Sequence, residues 1–285
     1  MKKILELITS LAVLATLLFL LLRLLPGGPF DLERTLDPSV QKNLSESWGI
    51  HNLTDSMIRP DQSVFGIILQ GLSNTLSLNL MALFIVLMGS LGMSLLVVRY
   101  RGGWFEQLIN QMLIVFVSLP SLFWGPFLIY LFAFYFDLLP VALLNSPASY
   151  ILPVLTLSIR PFATLVRLLQ TSLLTNIQQD YARTAIAKGL TSWEVLVKHV
   201  LRNSSMAFLS YLGPLTVSLV SGSFLVEILF AIPGLGTEFV QAINDRDYTV
   251  IAGITLFYGC LLLSLNTLIE IVQRNIDPRL KEDTP

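Results

Sequence analysis

The sequence predicts an all-α membrane protein with six transmembrane helices, and three observations carry that expectation. Of its 285 residues, 54% are hydrophobic and 13% charged, against about 25% charged in a soluble domain. The apolar residues gather in six runs, each long enough to cross about 30 Å of hydrocarbon. The basic residues fall on one side of the resulting threading, as the positive-inside rule requires of a cytoplasmic face. The net charge of −1 says little, because placement matters more than the sum.

Lys2 and Lys3 lead into Ile4 to Leu25, a run too long for the core of a cleaved signal peptide and ended by Leu25-Pro26-Gly27-Gly28-Pro29. It reads as a retained first span. Residues 30–70 are polar and mixed in charge, with Trp48 and His51, and are expected to form a small extracytoplasmic cap. Residues 1–72 then make an N-terminal unit and residues 73–285 a five-helix core. Ser73 to Val98 is the second span, stopped by Arg99-Tyr100-Arg101-Gly102-Gly103. Leu108 to Phe136 is an overlong third span interrupted by Pro120 and Pro126, which free backbone carbonyls and bend a helix. Tyr150 to Leu169 is the fourth. Met206 to Ala231, with Gly213-Pro214 and the small run Ser218 to Ser223, is the fifth, and Thr249 to Val272 is the sixth.

An even number of spans places both termini on one side. That side collects Lys2, Lys3, Arg99, Arg101, Arg183, Lys188, Lys198, Arg202, Arg274, Arg279 and Lys281, and is therefore cytoplasmic. The other side has Arg34, Lys42, Arg59 and Arg246 diluted by acids.

Asp180 to Asn203 is the longest polar interval between the apolar segments of the C-terminal half, and it reads as a docking element for a soluble partner. Tyr181 to Lys188 has good helix formers, with Ala182, Ala185 and Ala187 small enough for close approach by another surface, and Gly189 suits a helix C-terminus. Ser192 is the expected N-cap of a second helix whose Trp193, Leu196, Val197, Val200 and Leu201 share one face. Glu194 and Lys198 form an i, i+4 pair away from that face. The competing reading is a solvated loop whose basic residues serve only topology.

No catalytic constellation is present. The chain has no phosphate-binding loop motif and no H-E-x-x-H, and its two histidines, His51 and His199, thread to opposite faces. Gly234-Leu235-Gly236 lacks the third glycine and the strand of a dinucleotide fingerprint. Cys260, the single cysteine, is expected to be a buried, inert thiol. Several polar residues lie within spans, among them Arg160, Arg167, Glu227, Asn266 and Glu270. A charge at the bilayer centre costs on the order of 3 kcal/mol and so faces a protein interior or an aqueous path. Arg167 and Glu270 lie near span ends, where they can snorkel. Arg160, beside Pro161, is the candidate for an inward charge, either binding a substrate carboxylate or pairing with an acid of a neighbouring helix. Glu227 is open to a pathway role or a structural one.

The loop reads Arg183-Thr184-Ala185, Ala187-Lys188-Gly189, and then His199, Leu201-Arg202-Asn203. This resembles the R-T-A-x-A-K-G and H-x-L-R-N pattern of membrane subunits of ABC importers of the peptide and nickel branch, in which it replaces the general E-A-A-x-x-x-G. Pro26-Gly27-Gly28-Pro29-Phe30, Glu33-Arg34-Thr35-Leu36, Tyr211-Leu212-Gly213-Pro214, Gly222-Ser223, Glu227, Pro233-Gly234-Leu235-Gly236, Arg246-Asp247-Tyr248 and Asp277-Pro278-Arg279 extend the likeness over nearly the whole chain. They are similar to the oligopeptide permease subunit of B type. Arg160-Pro161 has no counterpart in the pattern.

The resemblance implies the type I ABC importer transmembrane fold, in the cytoplasmic inner membrane of a prokaryote. Residues 176–205 become the coupling loop, and Tyr181, Arg183, Thr184, Ala185, Ala187, Lys188, Gly189, His199 and Arg202 its ATPase-coupling residues. Bulk at Ala185 or Gly189 would prevent close seating in the ATPase. Pro233, Gly234, Gly236, Asp247 and Tyr248 fall in an extracytoplasmic loop facing a solute-binding protein. The implied partners are a second homologous permease subunit, cytosolic ATPases, the binding protein and the lipid bilayer, with no nucleic acid. The chain itself is expected to bind no cofactor, ATP and Mg belonging to the ATPases. Peptides lead the cargo classes, ahead of nickel complexes, antimicrobial peptides and opine-like molecules. The alternative is a self-contained secondary carrier using Glu227 and Glu270, although the halves show none of the inverted repeats common in such carriers.

Overall fold

A computed structural model describes residues 2–24, 54–59, 61–141, 144 and 146–276. The Pro26 to Leu36 motifs, Trp48, His51 and most of the expected cap lie outside these residues, as do Asp277-Pro278-Arg279 and Lys281. The described chain is helical apart from one isolated bridge between Asp55 and Ser63. It divides into two units, residues 1–76 with 231–267, and residues 77–230 with 268–285.

The first unit holds α1 (Lys2–Leu24), the first turns of α2 (Val64–Arg99), α10 (Leu235–Asn244) and most of α11 (Tyr248–Ile276). Glycines set its closest approaches. A Cβ at Gly259 would lie 2.2 Å from Leu14 Cδ2, and one at Gly253 2.2 Å from Val64 Cγ1, so α1 and α2 both lean on α11 where it has no side chain. At Gly71 a Cβ would meet the backbone of Gly234 and Leu235 at 3.1 and 3.0 Å.

The second unit is organised around α5 (Ile151–Asn176), which packs against α3 (Trp104–Ser118), α4 (Ser121–Leu128), α8 (Leu201–Ser210) and α9 (Leu212–Leu229). Leu152, Leu157, Ala163, Leu165, Val166, Leu169 and Leu173 of α5 are all buried. In water such burial stabilises by roughly 1.5–3 kcal/mol per large side chain. In the bilayer, where lipid is as apolar as leucine, close packing takes over that role.

Among the described residues, four helices are long and apolar enough to cross a membrane, within Val64–Arg99, Pro147–Asn176, Leu212–Leu229 and Tyr248–Ile271. A fifth is counted if Trp104–Ser118 and Ser121–Tyr135 form one span. In α1 a shorter apolar stretch, Ile8–Leu18, is described. The expected third span is two helices meeting at 108°. Pro120 lacks an N–H and pushes its predecessor out of helical conformation, and both Leu119 (ψ 140) and Pro120 (ψ 142) are extended. Pro126, by contrast, is carried within α4, which continues as a π-helix over Ile129–Tyr135. The second span begins nine residues before its expected start, at Val64. Residues after Ile232, expected to form only a turn and loop, include the helix α10. Cys260 is exposed rather than buried, because no described residue covers that side of α11.

Candidate functional site

The polar interval folds as α6 (Asp180–Ala187), a glycine turn, and α7 (Ser192–Val195), which runs through a π-helical stretch at Leu196–Val200 into α8. The C-terminus of α6 closes by two hydrogen bonds. Gly189 N–H donates to the Ile186 carbonyl at 2.9 Å and Leu190 N–H to the Ala185 carbonyl at 3.3 Å. This Schellman closure requires a left-handed residue, and Gly189 supplies it at φ 89°. The next helix is capped by Thr191 rather than Ser192. Glu194 N–H donates to Thr191 Oγ1 at 3.3 Å, and the Glu194 carboxylate accepts from Thr191 N–H and Oγ1–H at 3.1 and 2.9 Å. These contacts, the backbone one first, with Lys198 3.4 Å away, hold the Glu194 carboxyl below the usual carboxylate range.

Ala182 and Ala185 are buried with Val98, Leu169, Leu173, Val195, Leu196 and Val200. The small residues of α6 therefore admit the chain's own core. Bulk at Ala185 would meet this core directly. Arg183, Thr184, Ile186, Ala187, Lys188 and Gly189 are exposed, and Tyr181 is half-buried with its hydroxyl donating to Asn176 Oδ1 at 3.3 Å. In the second helix the buried set is Val195, Leu196 and Val200, while Trp193 and Val197 lie exposed. The wider π turn changes which residues align, so the expected five-residue face is not the one buried. His199 and Arg202 are exposed. The Arg99 guanidinium stacks 4.9 Å from the centroid of Trp193, so the end of α2 and the loop share one side of the unit.

Within the first unit, Asp247 is buried at 1% exposure and organises the segment around it. Its carboxylate accepts from the Ser56 hydroxyl, from Met57 N–H at 3.2 Å, from Ile58 N–H at 3.4 Å, from Thr249 Oγ1–H at 2.8 Å and from Val250 N–H at 3.2 Å. Arg59 pairs with Glu238 at 2.8 Å. Gly234 and Gly236 are buried, Pro233 is exposed and Tyr248 half-buried. Asn74 Nδ2–H donates to the Pro233 carbonyl at 2.9 Å, and Leu235 N–H to Thr75 Oγ1 at 3.0 Å. Asp247 is thus a structural anchor, and Pro233 is the exposed member of the set.

Of the charges inside spans, Glu227 is fully buried, whereas Arg167 and Arg160 are exposed. Arg160 lines a cleft of about 240 Å³ formed by α4, α5 and α9. Sequence reasoning missed the cleft, the Thr191 cap, the exposed Ile186 and the Ser56–Asp247 anchor. The T-S-W-E order carried the capping-box signal, with Thr191 three residues before Glu194. Among the described residues, no group of side chains could hold a metal ion.

Residues 85–282 match the family described as binding-protein-dependent transport system inner membrane component. Over 300 residues the chain is 33% identical to the dipeptide transport system permease protein DppB of Bacillus subtilis strain 168, covering 98% of this chain and 96% of that protein. It is 31% identical to the oligopeptide transport system permease protein OppB of Haemophilus influenzae, covering 98% of each. Among solved structures, inward-facing MetNI methionine ABC transporter superposes with a TM-score of 0.60 at 17% identity, covering 74% of this chain and 95% of that one. An amino acid ABC transporter with histidines gives a TM-score of 0.59 at 17% identity, covering 85% and 100%. These two likenesses establish the type I ABC importer transmembrane fold.

Proposed function

The chain belongs to the binding-protein-dependent transport system inner membrane components, and from that membership we propose that it forms half of the pathway through which an ATP-driven importer carries di- and oligopeptides across the cytoplasmic membrane. It is a multi-pass, non-catalytic subunit. Hydrolysis takes place in separate cytosolic ATPases, which hold the ATP and Mg, and cargo arrives on an extracytoplasmic binding protein. The other half of the pathway comes from a second, homologous membrane subunit, and both termini of this chain are cytoplasmic.

One observation carries the mechanism: α6 buries Ala182 and Ala185 in the core of its own unit while it presents Arg183, Ile186 and Lys188 to solvent. A helix held in this way moves with α5 and α2 rather than sliding over them. Closure of two ATPases on ATP, gripping the exposed face, would shift the attached helices together and alternate the side on which the pathway opens. The cargo assignment is supported by identity above 30% to peptide permeases over nearly full length.

The test is uptake of a labelled dipeptide by proteoliposomes containing the complete transporter. The account expects uptake that needs internal ATP and the binding protein and survives a protonophore. Uptake driven by a proton gradient without ATP would support the secondary-carrier alternative.

A further inference from the structure

Arg160 is the tenth residue of the 26-residue α5, roughly 15 Å from its start at 1.5 Å per residue. That depth is near the middle of a span, and the side chain is exposed. Bare contact with lipid there would cost on the order of 3 kcal/mol, so this face meets water or protein. Among the described residues the guanidinium has no ion-pair partner, and none of the residues lining its cleft is acidic. We propose that this cleft binds the C-terminal carboxylate of the transported peptide, with Arg160 as the anchoring cation. The inference rests on the peptide-importer reading above and adds a specificity-determining residue to it.

The remaining chemistry of the cleft suits a peptide end. Ser121, Ser218 and Ser221 bring hydroxyls to its wall. Pro126 and Pro161, inside α4 and α5, have no N–H for the carbonyls four residues before them. Those carbonyls belong to Leu122 and Leu157, which both line the cleft. The site thus combines a fork-shaped cation, matched to a carboxylate, with serine residues at its wall. At about 240 Å³ it is smaller than the roughly 300–1,000 Å³ of a site enclosing a drug-sized ligand. It therefore takes one end of a peptide and leaves the other side chains unread, as a carrier of many sequences requires.

The experiment uses proteoliposomes containing the complete transporter and a tripeptide with its C-terminal amide, chosen so that the binding protein holds both with comparable affinity. The wild type is expected to import the free acid about tenfold faster than the amide, the scale of one charge-assisted contact. Arg160→Gln should bring the two rates within about twofold of each other. Arg160→Lys, keeping the charge without the bidentate fork, should retain part of the preference. A wild type that imports both forms equally overturns the proposal. So does an Arg160→Gln transporter that slows acid and amide alike, the result expected if Arg160 pairs with an acid of the neighbouring membrane subunit. Absence of ATP-dependent uptake of either peptide by the wild type removes the importer reading and this site with it, whereas normal uptake with an unchanged acid-to-amide ratio in both variants removes the site alone.

Discussion

The guanidinium of Arg99, the last residue of α2, stacks on the ring of Trp193, in the first turn of the helix after the glycine turn, at 4.9 Å from the centroid. Two segments far apart in sequence are thereby pinned at one end of their unit. A cation–π contact at an exposed site is worth about 0.5–1 kcal/mol. Trp193→Ala is expected to lower the melting temperature of the detergent-purified protein by a few degrees, while Trp193→Phe, which keeps a ring, loses less. Differential scanning fluorimetry of the three proteins makes the comparison.

Gly189 separates backbone strain from partner contact. Its φ of 89° is costly for any residue with a Cβ, on the order of 1–2 kcal/mol. Yet a Cβ there would meet nothing within 4 Å. Gly189→Ala and Gly189→Trp should therefore destabilise the isolated chain similarly in thermal melts. If an ATPase seats over this turn, only the tryptophan variant should lose most ATP-dependent uptake.

The acid response of the loop should run through Glu194. Its carboxyl is held low in the folded chain, chiefly by Thr191 N–H, so the stabilisation is present above the unfolded carboxylate value of about 4.3 and is lost as pH falls through the folded value. Hydrogen exchange at the amides of Glu194 and Val195 should be slow at pH 7 and should quicken, once intrinsic rates are corrected for, as pH drops below about 4. Glu194→Gln should flatten that dependence.

Gly71 is the tightest backbone contact of the first unit, because the atoms facing it belong to main chain held by Asn74 and Thr75 and cannot rotate away. Gly71→Ala is expected to cost about 1–3 kcal/mol, as overpacking does. At Gly253 the facing atom is the Val64 side chain, so Gly253→Ala with Val64→Ala should recover most of its own loss. Thermal melts of these variants read the difference.

Much of this was legible in the sequence because bilayer physics is written in composition. That spans follow Val64 is plain from apolar run length, though not the start of the second or the break at Pro120, and α6 and its glycine stop follow from helix propensity and the demand for positive φ. The cap at Thr191 was legible too, but Ser192 competes for the same role. What stayed hidden depends on tertiary packing. Nothing local says that Ala182 and Ala185 face inward, since alanine suits either environment. A π turn at Leu196–Val200 leaves no compositional mark, so the buried face of that helix could not be counted off at 3.6 residues per turn. Asp247 and Ser56 are 191 positions apart, and their pairing arises only when the first unit assembles. Arg160 stood out as an intramembrane charge, but its cleft needs three helices to exist.

The central claim, that α6 transmits the work of a separate ATPase, is tested most directly by mild-detergent purification of the tagged chain from its native membrane, with mass spectrometry and an ATPase assay on the product. The account predicts recovery of cytosolic ATPases and a second membrane subunit with measurable ATP hydrolysis, and loss of the ATPases from the Gly189→Trp preparation. Recovery of the chain alone, inactive toward ATP under several gentle extraction conditions, would contradict it.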